Sequence, residues 1–348
     1  MTDAALVGRL LDEYHERSAA PAGILLTAGS VHEASVTYQL TLPDGSRQLI
    51  RAFRADGPVP VHGRGLLPET TADWLLGRAR TLACLAAADY PAPRPVRTRT
   101  GELVGVEAAW LSWGISRVPG NAIRPALSQL RALGATLGSL HMVAAQAGPD
   151  GCAGLASHHP LVAVPAARAR LQAVAGRVPA GWQPLYRAIA QTIDAVQIAA
   201  GNVAETLVHG DAWARTAVQS PGDEKVTLID WETGGRGLAV LDLGNCLLEC
   251  HLDATVPDPA VSLIAPDEDR IAAVAGGYAT MRELSGAERA LLPAAAAFAA
   301  AVAGAVHLEL ALLEDVRGPV MDARLARLRN RMEAAAPVAA LALPHLGG

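Results

Sequence analysis

The sequence is almost without lysine, since Lys225 is the single one among 348 residues. The other basic residues are arginines and form no run. In total, 29 basic residues stand against 34 acidic residues, for a net charge of −5. Because proteins that bind nucleic acids usually carry a basic patch or stripe, this composition argues against a nucleic-acid partner. A hydrophobic fraction of 51% and a charged fraction of 18% are typical of a globular protein.

The sequence also lacks targeting signals that we can identify. Its first residues have neither the basic nor the apolar region of a signal peptide, so we expect a cytoplasmic protein. Residues 291–306 are apolar enough to be mistaken for a membrane span, but they include Pro293 and Gly304 and lead directly into His307. We therefore predict a buried helix of the C-terminal region and no membrane partner.

Cysteine is scarce, with four residues in the chain. Cys246 and Cys250 lie one helical turn apart, but no further ligands stand at a spacing suited to zinc. We expect all four cysteines to be reduced and to lie in the core.

Two short segments near the middle of the chain each place an aspartate at the end of an apolar, strand-like run. Residues 206–208 lead to Asp211 in an H-G-D sequence, and residues 226–229 lead to Asp230 in an I-D-W-E sequence. The turn-rich residues 220–223 separate the runs, so we expect the two runs to form a hairpin with neighbouring strand ends. One such carboxylate can accept a proton from a hydroxyl, and the other can hold Mg²⁺ against nucleotide phosphates. This division of roles is typical of phosphoryl transfer.

These segments resemble the aminoglycoside phosphotransferase and choline kinase family, whose pattern is H-G-D-x-x-x-x-N followed by a strand ending in I-D-[WF]-E. Three other patches occur in the family's order. Residues 116–120 resemble the hinge between lobes, residues 137–141 the L-A-x-L-H helix, and residues 237–244 the G-x-x-x-x-D-L-[AG] element. The resemblance is specific between about residues 115 and 250, weaker before them, and slight after about 255.

The resemblance implies an α+β, bilobal, protein-kinase-like fold. Its N-terminal nucleotide-binding lobe, with a small antiparallel sheet and one helix, would span residues 1–115, including an N-terminal helix. Its large, mostly helical C-terminal lobe would span residues 116–348 and bind the acceptor. Hydrophobic patterns agree with this order. They predict strands at 24–27, 35–42, 48–53 and within 103–115, and helices at 1–20, 71–88, 125–146, 165–177, 184–200, 239–252, 267–284, 287–314 and 319–335.

The resemblance also implies catalytic roles. Asp211 would accept the acceptor hydroxyl's proton, and His209 would belong to the same catalytic loop, more as a brace than as a reacting group. Asp230 would hold Mg²⁺ bound to ATP or GTP. The family's asparagine, the expected second metal ligand, is replaced by Thr216, whose hydroxyl is a shorter and less basic ligand.

The implied nucleotide site departs further from the family. Because Lys225 lies between the two aspartates, the phosphate-binding lysine of the first lobe is absent, and Arg51 is the natural substitute. The loop around Gly29 and Ser30 would cover the phosphates. Backbone groups of residues 116–118, especially those of Ser116 and Val118, would contact the base.

The helix over residues 71–88 has no glutamate to pair with that cation. Arg78 stands about where the family's glutamate would fall, and Glu69 and Asp73 are the nearest acids. An acid at a helix N-terminus can simply stabilise the helix dipole.

The sequence thus predicts an O-phosphotransferase that uses a nucleotide and Mg²⁺. The acceptor would be a hydroxyl of a small molecule, as in antibiotic resistance, or a serine or threonine of a precursor peptide in natural-product biosynthesis. The alternative is a kinase-like pseudoenzyme that binds a partner enzyme or a peptide. A cationic acceptor would need an acidic cleft, and the candidate residues are Glu249, Asp253, Glu309, Glu314 and Asp315.

Overall fold

The structure is a computed structural model that describes residues 9, 12–14, 23–28, 35–55, 71–107, 110–151, 163–220, 222, 224–250, 265–316 and 318–347. These residues divide into two compact units. One contains the described residues up to Pro119, and the other contains those from Gly120 onward.

The first unit contains an antiparallel sheet of six strands in the order β1-β2-β3-β6-β4, with β5 also paired to β6. The strands are β1 (Gly23–Ala28), β2 (Ser35–Thr41), β3 (Arg47–Arg54), β4 (Pro95–Val96), β5 (Gly105–Glu107) and β6 (Trp110–Ser116). The predicted turn between β2 and β3 is present. The Asp44 side chain accepts the backbone N–H of Ser46 at 2.9 Å, and Gly45 adopts φ +82°. Of the predicted N-terminal helix, residue 9 and residues 12–14 are described, and they are helical.

Strand β3 separates two packing environments because alternate side chains point to opposite faces of a sheet. Ile50 and Ala52 are buried in a cluster that includes Tyr38 and Leu40. Phe53 points to the other face, where it meets helix α1 (Thr71–Ala87). Arg51 belongs to the α1-facing side of β3.

The second unit is mainly helical, as predicted. Its helices are α2 (Leu127–Gly151), α3 (Ala163–Val174), α4 (Gln183–Ala200), α5 (Ala239–Glu249), α6 (Glu268–Ala279), α7 (Gly286–Leu312) and α8 (Pro319–Ala342). Helix α7 packs against α3, α4, α5 and α8. It is long and apolar enough to cross a membrane, but 72% of its most apolar 18-residue window is buried inside this unit. The apolar stretch is therefore a core helix, as predicted.

Two small sheets lie among these helices and correct one prediction. Strand β8 (Glu205–Val208) pairs with β11 (Gly235–Leu238), whereas β10 (Val226–Leu228) pairs with β9 (Ala217–Gln219), which also pairs with β7 (Asn121–Ala122). The strands that lead to the two aspartates therefore belong to different sheets and do not form a hairpin with each other. The sequence prediction missed β9 and β11 because both are short and β11 begins G-R-G, a poor strand pattern.

The prediction of four reduced cysteines is wrong for Cys84, which is disulfide-bonded. Cys246 and Cys250 are free and buried, as expected. Sequence spacing shows which cysteines are close along a helix, but not which are brought together in space.

Candidate active site

His209 links the two aspartate-bearing segments through its ring. Its Nε2 lies 2.7 Å from the backbone oxygen of Ile229, and its Nδ1 lies 3.3 Å from the backbone nitrogen of Asp211. A carbonyl oxygen only accepts, so Nε2 carries the hydrogen and Nδ1 accepts the Asp211 N–H. Burial lowers the pKa of His209, which favours this neutral form. The ring also packs against Trp231 with centroids 4.6 Å apart, so His209 braces the loop with both nitrogens engaged.

Asp242 also fixes the loop that carries His209. Its carboxylate accepts the backbone N–H groups of His209 at 2.5 Å and Gly210 at 2.7 Å. Asp242 lies in the first turn of α5 and is buried. Burial alone would raise the pKa of Asp242, but the hydrogen bond from His141 and the nearby histidines outweigh burial and lower it. These contacts show that Asp242 ties down the loop that carries His209 and Gly210.

Gly210 is required by the shape of this loop. Its φ is +82°, and a Cβ at this position would lie 2.5 Å from the backbone oxygen of Thr233. Glycine reaches this region without steric cost. The Thr233 hydroxyl in turn donates to the backbone oxygen of His209 at 3.0 Å. The H-G-D sequence therefore forms a tight turn in which each residue is fixed by another segment.

A chain of buried polar side chains extends from Asp242 to the start of α7. His141 Nε2 lies 3.3 Å from the Asp242 carboxylate, and His141 Nδ1 lies 2.9 Å from the hydroxyl of Tyr278. Arg282 donates to the Tyr278 hydroxyl at 2.9 Å and to the Glu288 carboxylate at 2.6 Å. Burial lowers the pKa of His141, so its ring is neutral. A hydrogen on Nε2 lets it donate to Asp242 and accept from Tyr278.

Asp211 follows this turn and is half-buried. Burial raises the pKa of Asp211 from its ordinary value of 3.8 to about 7, and the carboxylates of Glu249, Asp230 and Asp242 add to the effect. A hydrogen bond with the Trp213 side chain acts in the opposite direction. A carboxyl group with a pKa near neutrality can both accept and release a proton at physiological pH.

Thr216 uses its hydroxyl to hold the loop backbone. Thr216 Oγ1 donates to the backbone oxygen of Asp211 at 2.6 Å and accepts the backbone N–H of Trp213 at 3.1 Å. The Thr216 backbone oxygen accepts the N–H of Ile229 at 2.8 Å, which ties the loop to β10. One hydroxyl lone pair is left for a metal, so the predicted metal role of Thr216 stays a prediction. The neighbouring Arg215 lies over the Trp213 ring.

Asp230 has an exposed side chain on a constrained backbone. It follows β10 with φ 62° and ψ 54°, the left-handed region, and precedes a short 3₁₀ turn over Trp231–Thr233. The Trp231 side chain is buried and donates to the backbone oxygen of Leu228 at 2.9 Å. Non-glycine residues in this region cost free energy and persist where the surroundings impose them.

The donor set fits Mg²⁺ that is bound mainly by a nucleotide. Within the described ranges, no group of three or more His, Cys, Asp or Glu side chains is arranged to hold a metal ion. Mg²⁺ in kinase-type sites commonly takes one or two protein carboxylates and completes its shell with phosphates and water. The exposed Asp230 carboxylate offers such a ligand, and this role stays a prediction.

The predicted nucleotide residues of the first unit are placed only in part. The guanidinium carbon of Arg51 lies 5.7 Å from the centre of the Phe53 ring. Ser116 ends β6, and its hydroxyl accepts the backbone N–H of Arg94 at 2.8 Å. Val118 is half-buried just after this strand. The other predicted contacts, Gly29 and Ser30, lie outside the described residues, as does Glu69.

The model of the phosphotransferase enzyme family matches residues 68–284 of this chain. The chain belongs to this family. No curated protein matches it in sequence. Membership confirms the resemblance to aminoglycoside phosphotransferases and choline kinases, and supports a kinase-type enzyme acting on small molecules.

Solved structures of other phosphotransferases have the same fold. An amicoumacin kinase, hAmiN, solved with AMP-PNP, Ca²⁺ and Ami, is 16% identical, with 97% of this chain and 95% of that chain covered and a TM-score of 0.68. A microcompartment-associated aminopropanol kinase is 19% identical, with 99% of each chain covered and a TM-score of 0.62. Choline kinase from Cryptosporidium parvum is 12% identical, with 95% of each chain covered and a TM-score of 0.58. These likenesses confirm the predicted α+β, bilobal, protein-kinase-like fold.

The candidate site contains residues to which the sequence alone assigns no role. In the sequence, His141 stands out only as the last residue of the segment that resembles the L-A-x-L-H helix. Its contact with the Asp242 carboxylate explains why a histidine stands there. Tyr278 lies 137 positions further along the chain and shows no local signal. Glu249 was one of five candidate acids, and its influence on the pKa of Asp211 distinguishes it from Glu309, Glu314 and Asp315, whereas Asp253 lies outside the described residues.

Proposed function

We propose that this phosphotransferase transfers the γ-phosphoryl group of ATP or GTP to the hydroxyl of an amine-bearing small molecule. The acceptor oxygen would form a bond to phosphorus as the bond to the β,γ-bridging oxygen breaks, releasing the nucleoside diphosphate. The Asp211 carboxylate would take the hydroxyl proton. The observation that carries this proposal is the placement of the Asp211 carboxyl group on a loop whose backbone is fixed by His209 and Thr216, where burial also raises its pKa.

The shift in this pKa suits a general base. Such a group works best when its pKa lies near the working pH, because it is then both largely ionised and basic enough to take the proton. A carboxylate with its ordinary pKa of about 4 would be a weaker base. Burial and nearby carboxylates provide the adjustment at Asp211.

Mg²⁺ would neutralise charge on the nucleotide phosphates during transfer. Asp230 would supply its carboxylate ligand, and Thr216 would add a hydroxyl lone pair. The left-handed backbone of Asp230 supports a specialised role, since strained residues of this kind concentrate at functional sites.

The acidic surroundings of Asp211 support a cationic acceptor. Glu249 and Asp230 raise the pKa of Asp211 by their negative charge, so a positive group on the acceptor would be attracted to the same region. Glu249 is held by Arg331, which donates to its two carboxylate oxygens at 2.7 and 3.1 Å. The aminopropanol kinase of similar fold is named for an amino alcohol. A serine or threonine in a precursor peptide, presented with a partner biosynthetic enzyme, is the other acceptor that we consider.

The decisive experiment measures nucleoside diphosphate release with a panel of amino alcohols, their uncharged analogues and peptides containing serine or threonine. The wild-type protein should turn over at least one amino alcohol in the presence of Mg²⁺. Asp211→Asn should reduce kcat by about 10² to 10⁴-fold, the usual contribution of a general base, while the affinity for ATP stays close to that of wild type. Wild-type turnover by Asp211→Asn would refute the assignment of Asp211.

The charge of the acceptor is tested separately. Glu249→Gln should raise KM for amino alcohols much more than KM for uncharged analogues. Equal effects on both would show that Glu249 serves the fold through Arg331 and does not attract the acceptor's charge. If the protein turns over peptides in preference to small molecules, the acceptor is a peptide and the small-molecule proposal is wrong.

A pseudoenzyme that binds a partner is the second candidate, and the Thr216 hydroxyl is the observation in its favour. That hydroxyl already holds two backbone groups in the loop, as a structural residue would. A pseudoenzyme would bind nucleotide, or a partner, without Mg²⁺-dependent turnover of any acceptor. Thermal stabilisation by ATP that is unaffected by Mg²⁺ would favour this candidate over the enzyme.

A further inference from the structure

Two guanidinium groups lie on one buried aromatic pair of the first unit. The guanidinium carbon of Arg51 lies 5.7 Å from the centre of the Phe53 ring, and that of Arg78 lies 5.7 Å from the centre of the Trp74 ring. The two rings meet edge to face with centroids 5.3 Å apart. A cation from strand β3 and a cation from helix α1 are thus assembled around one pair of rings. A kinase-like fold ordinarily has a cation and a carboxylate at these two places.

Arg78 is completely buried, whereas Arg80, two positions further along α1, is exposed. A guanidinium group stays charged in proteins, and burying a charge is costly unless it is paired. Arg78 has polar or electrostatic contacts within the chain. Because a guanidinium presents five N–H donors in a planar fork, it can serve such a contact and a ligand oxygen together.

Two further donors belong to the same region. The indole N–H groups of Trp74 and Trp113 are buried and have no hydrogen-bond partner within the described part of the chain. Trp113 lies directly opposite Arg51 in the pairing of β3 with β6, so the two side chains share one face of the sheet. Buried N–H groups are almost always satisfied in native proteins. Donors left over beside two cations indicate that an anionic acceptor comes from elsewhere.

We infer that Arg78 is a second phosphate-binding residue, which acts with Arg51 on the polyphosphate of the nucleotide. The inference rests on the proposed function, since it assumes that the first unit binds a nucleotide. Arginine suits this task because its planar fork binds two phosphate oxygens at once. Because α1 has no glutamate to pair with Arg51, both arginines can direct donors toward phosphate oxygens.

Binding measurements with ATP and adenosine separate the phosphate contribution from that of the base. The loss of a charge-assisted contact in Arg78→Met should weaken ATP binding about tenfold to a hundredfold. Adenosine binding should stay the same, because adenosine carries no phosphate. The exposed Arg80→Met is the matched control on the same helix and should bind both ligands as wild type does. An Arg78→Met protein with wild-type affinity for ATP would overturn the inference.

Arg78→Glu is the more discriminating variant. If Arg78 binds phosphate, a carboxylate there repels the nucleotide, and ATP binding should fall further than in Arg78→Met. If position 78 only supports the Arg51 side chain, the introduced carboxylate would pair with Arg51 as the family's glutamate pairs with its lysine. ATP would then bind as tightly as in wild type or more tightly, and the inference would be wrong.

A measurement on wild type covers the case in which these buried substitutions prevent folding. The side-chain Nε–H resonance of Arg78, assigned by through-bond correlation with its backbone amide, should shift on addition of ATP or inorganic tripolyphosphate and not on addition of adenosine. If neither ATP nor tripolyphosphate shifts this resonance, the inference is overturned.

The failure of this inference differs from the failure of the proposed function. Wild-type protein that does not bind ATP and releases no nucleoside diphosphate with any acceptor would refute both. Wild-type protein with phosphate-dependent binding and an unaffected Arg78→Met variant would refute only the role of Arg78.

Discussion

The carboxylate of Asp242 accepts the backbone N–H of Gly210 at 2.7 Å. This contact joins the first turn of a buried helix to the residue that precedes the proposed base. Its partner is an amide of the main chain, so the interaction fixes the course of the loop independently of most side-chain changes there. The position of Asp211 therefore depends on a residue 31 positions away in the sequence.

Replacing Asp242 should destabilise the second unit strongly. Asp242→Asn places an NH₂ group against backbone donors or His141, so at least one buried donor loses its acceptor, at a cost of about 1 to 3 kcal/mol or more. Denaturant unfolding should show this loss of free energy. The control is Asp194→Asn, which breaks the exposed ion pair with Arg168 and should cost less than about 1 kcal/mol. Equal effects of the two variants would contradict the bracing role of Asp242.

The raised pKa of Asp211 predicts a pH-dependent stability difference. Between pH 4 and 7 the unfolded carboxyl group is ionised while the native one still holds its proton, so the native state binds more protons. Stability from this group therefore falls as pH rises through that window and is constant above it. Asp211→Asn removes the effect. The melting temperature of this variant minus that of wild type, measured at each pH, should therefore increase from pH 4 to pH 7. A difference that does not vary with pH would show that the pKa is not raised.

Thr216 should contribute to stability through its hydroxyl. Thr216→Val keeps the shape but leaves the Trp213 N–H and the Asp211 oxygen without this partner, which should cost about 1 to 3 kcal/mol. Thr216→Ser should retain most of the stability, because it keeps the hydroxyl. Denaturant unfolding of the three proteins measures the difference. If Val and Ser variants are equally stable, the hydroxyl is available for another purpose.

Restoring the family's asparagine at position 216 tests whether the residue at this position is a metal ligand. Thr216→Asn supplies an amide oxygen, and in an active phosphotransferase it should maintain or increase the affinity for Mg²⁺ measured in the presence of ATP. The affinity for metal-free ATP should not change. A variant that loses Mg²⁺ dependence would argue against a ligand at this position.

Two substitutions at Asp230 separate its backbone from its carboxylate. Asp230→Ala and Asp230→Gly both remove the carboxylate, so both should weaken binding of Mg²⁺-ATP much more than binding of metal-free ATP. Only alanine is strained at φ 62°, by about 1 to 2 kcal/mol, so the glycine variant should be more stable by roughly that amount. Equal loss of ATP binding with and without Mg²⁺ would assign Asp230 to the fold.

The sequence predicts the elements of this protein well and their pairing less well. Strand β3 follows a clear turn signal, and helices α2 and α7 stand in long stretches rich in apolar residues, so their existence and approximate bounds could be predicted. The partners of β8 and β10 could not, because β9 and β10 lie between β8 and its partner β11 in the sequence, and β9 next to β10 is a short strand with no clear pattern of its own.

The candidate site, too, could be predicted from the sequence only in part. Asp211 and Asp230 stand in recognisable local motifs, and their loops adopt the tight or left-handed conformations that such motifs favour. The loop that carries Asp211 is held by Asp242, which in turn contacts His141 and through it Tyr278, and these residues meet only in the folded chain. The pKa of Asp211 likewise depends on burial and on Glu249, neither of which adjacent residues reveal.

The buried Asp242 has a consequence for how this protein can change by mutation. Its negative charge is among the causes that raise the pKa of Asp211, and its oxygens hold the loop that carries Asp211. One carboxylate thus sets both where the proposed base stands and how strongly it attracts a proton. A mutation that adjusted the optimum pH through Asp242 would also displace the loop, so adaptation to another pH must proceed through residues such as Glu249 that contribute charge without carrying the loop.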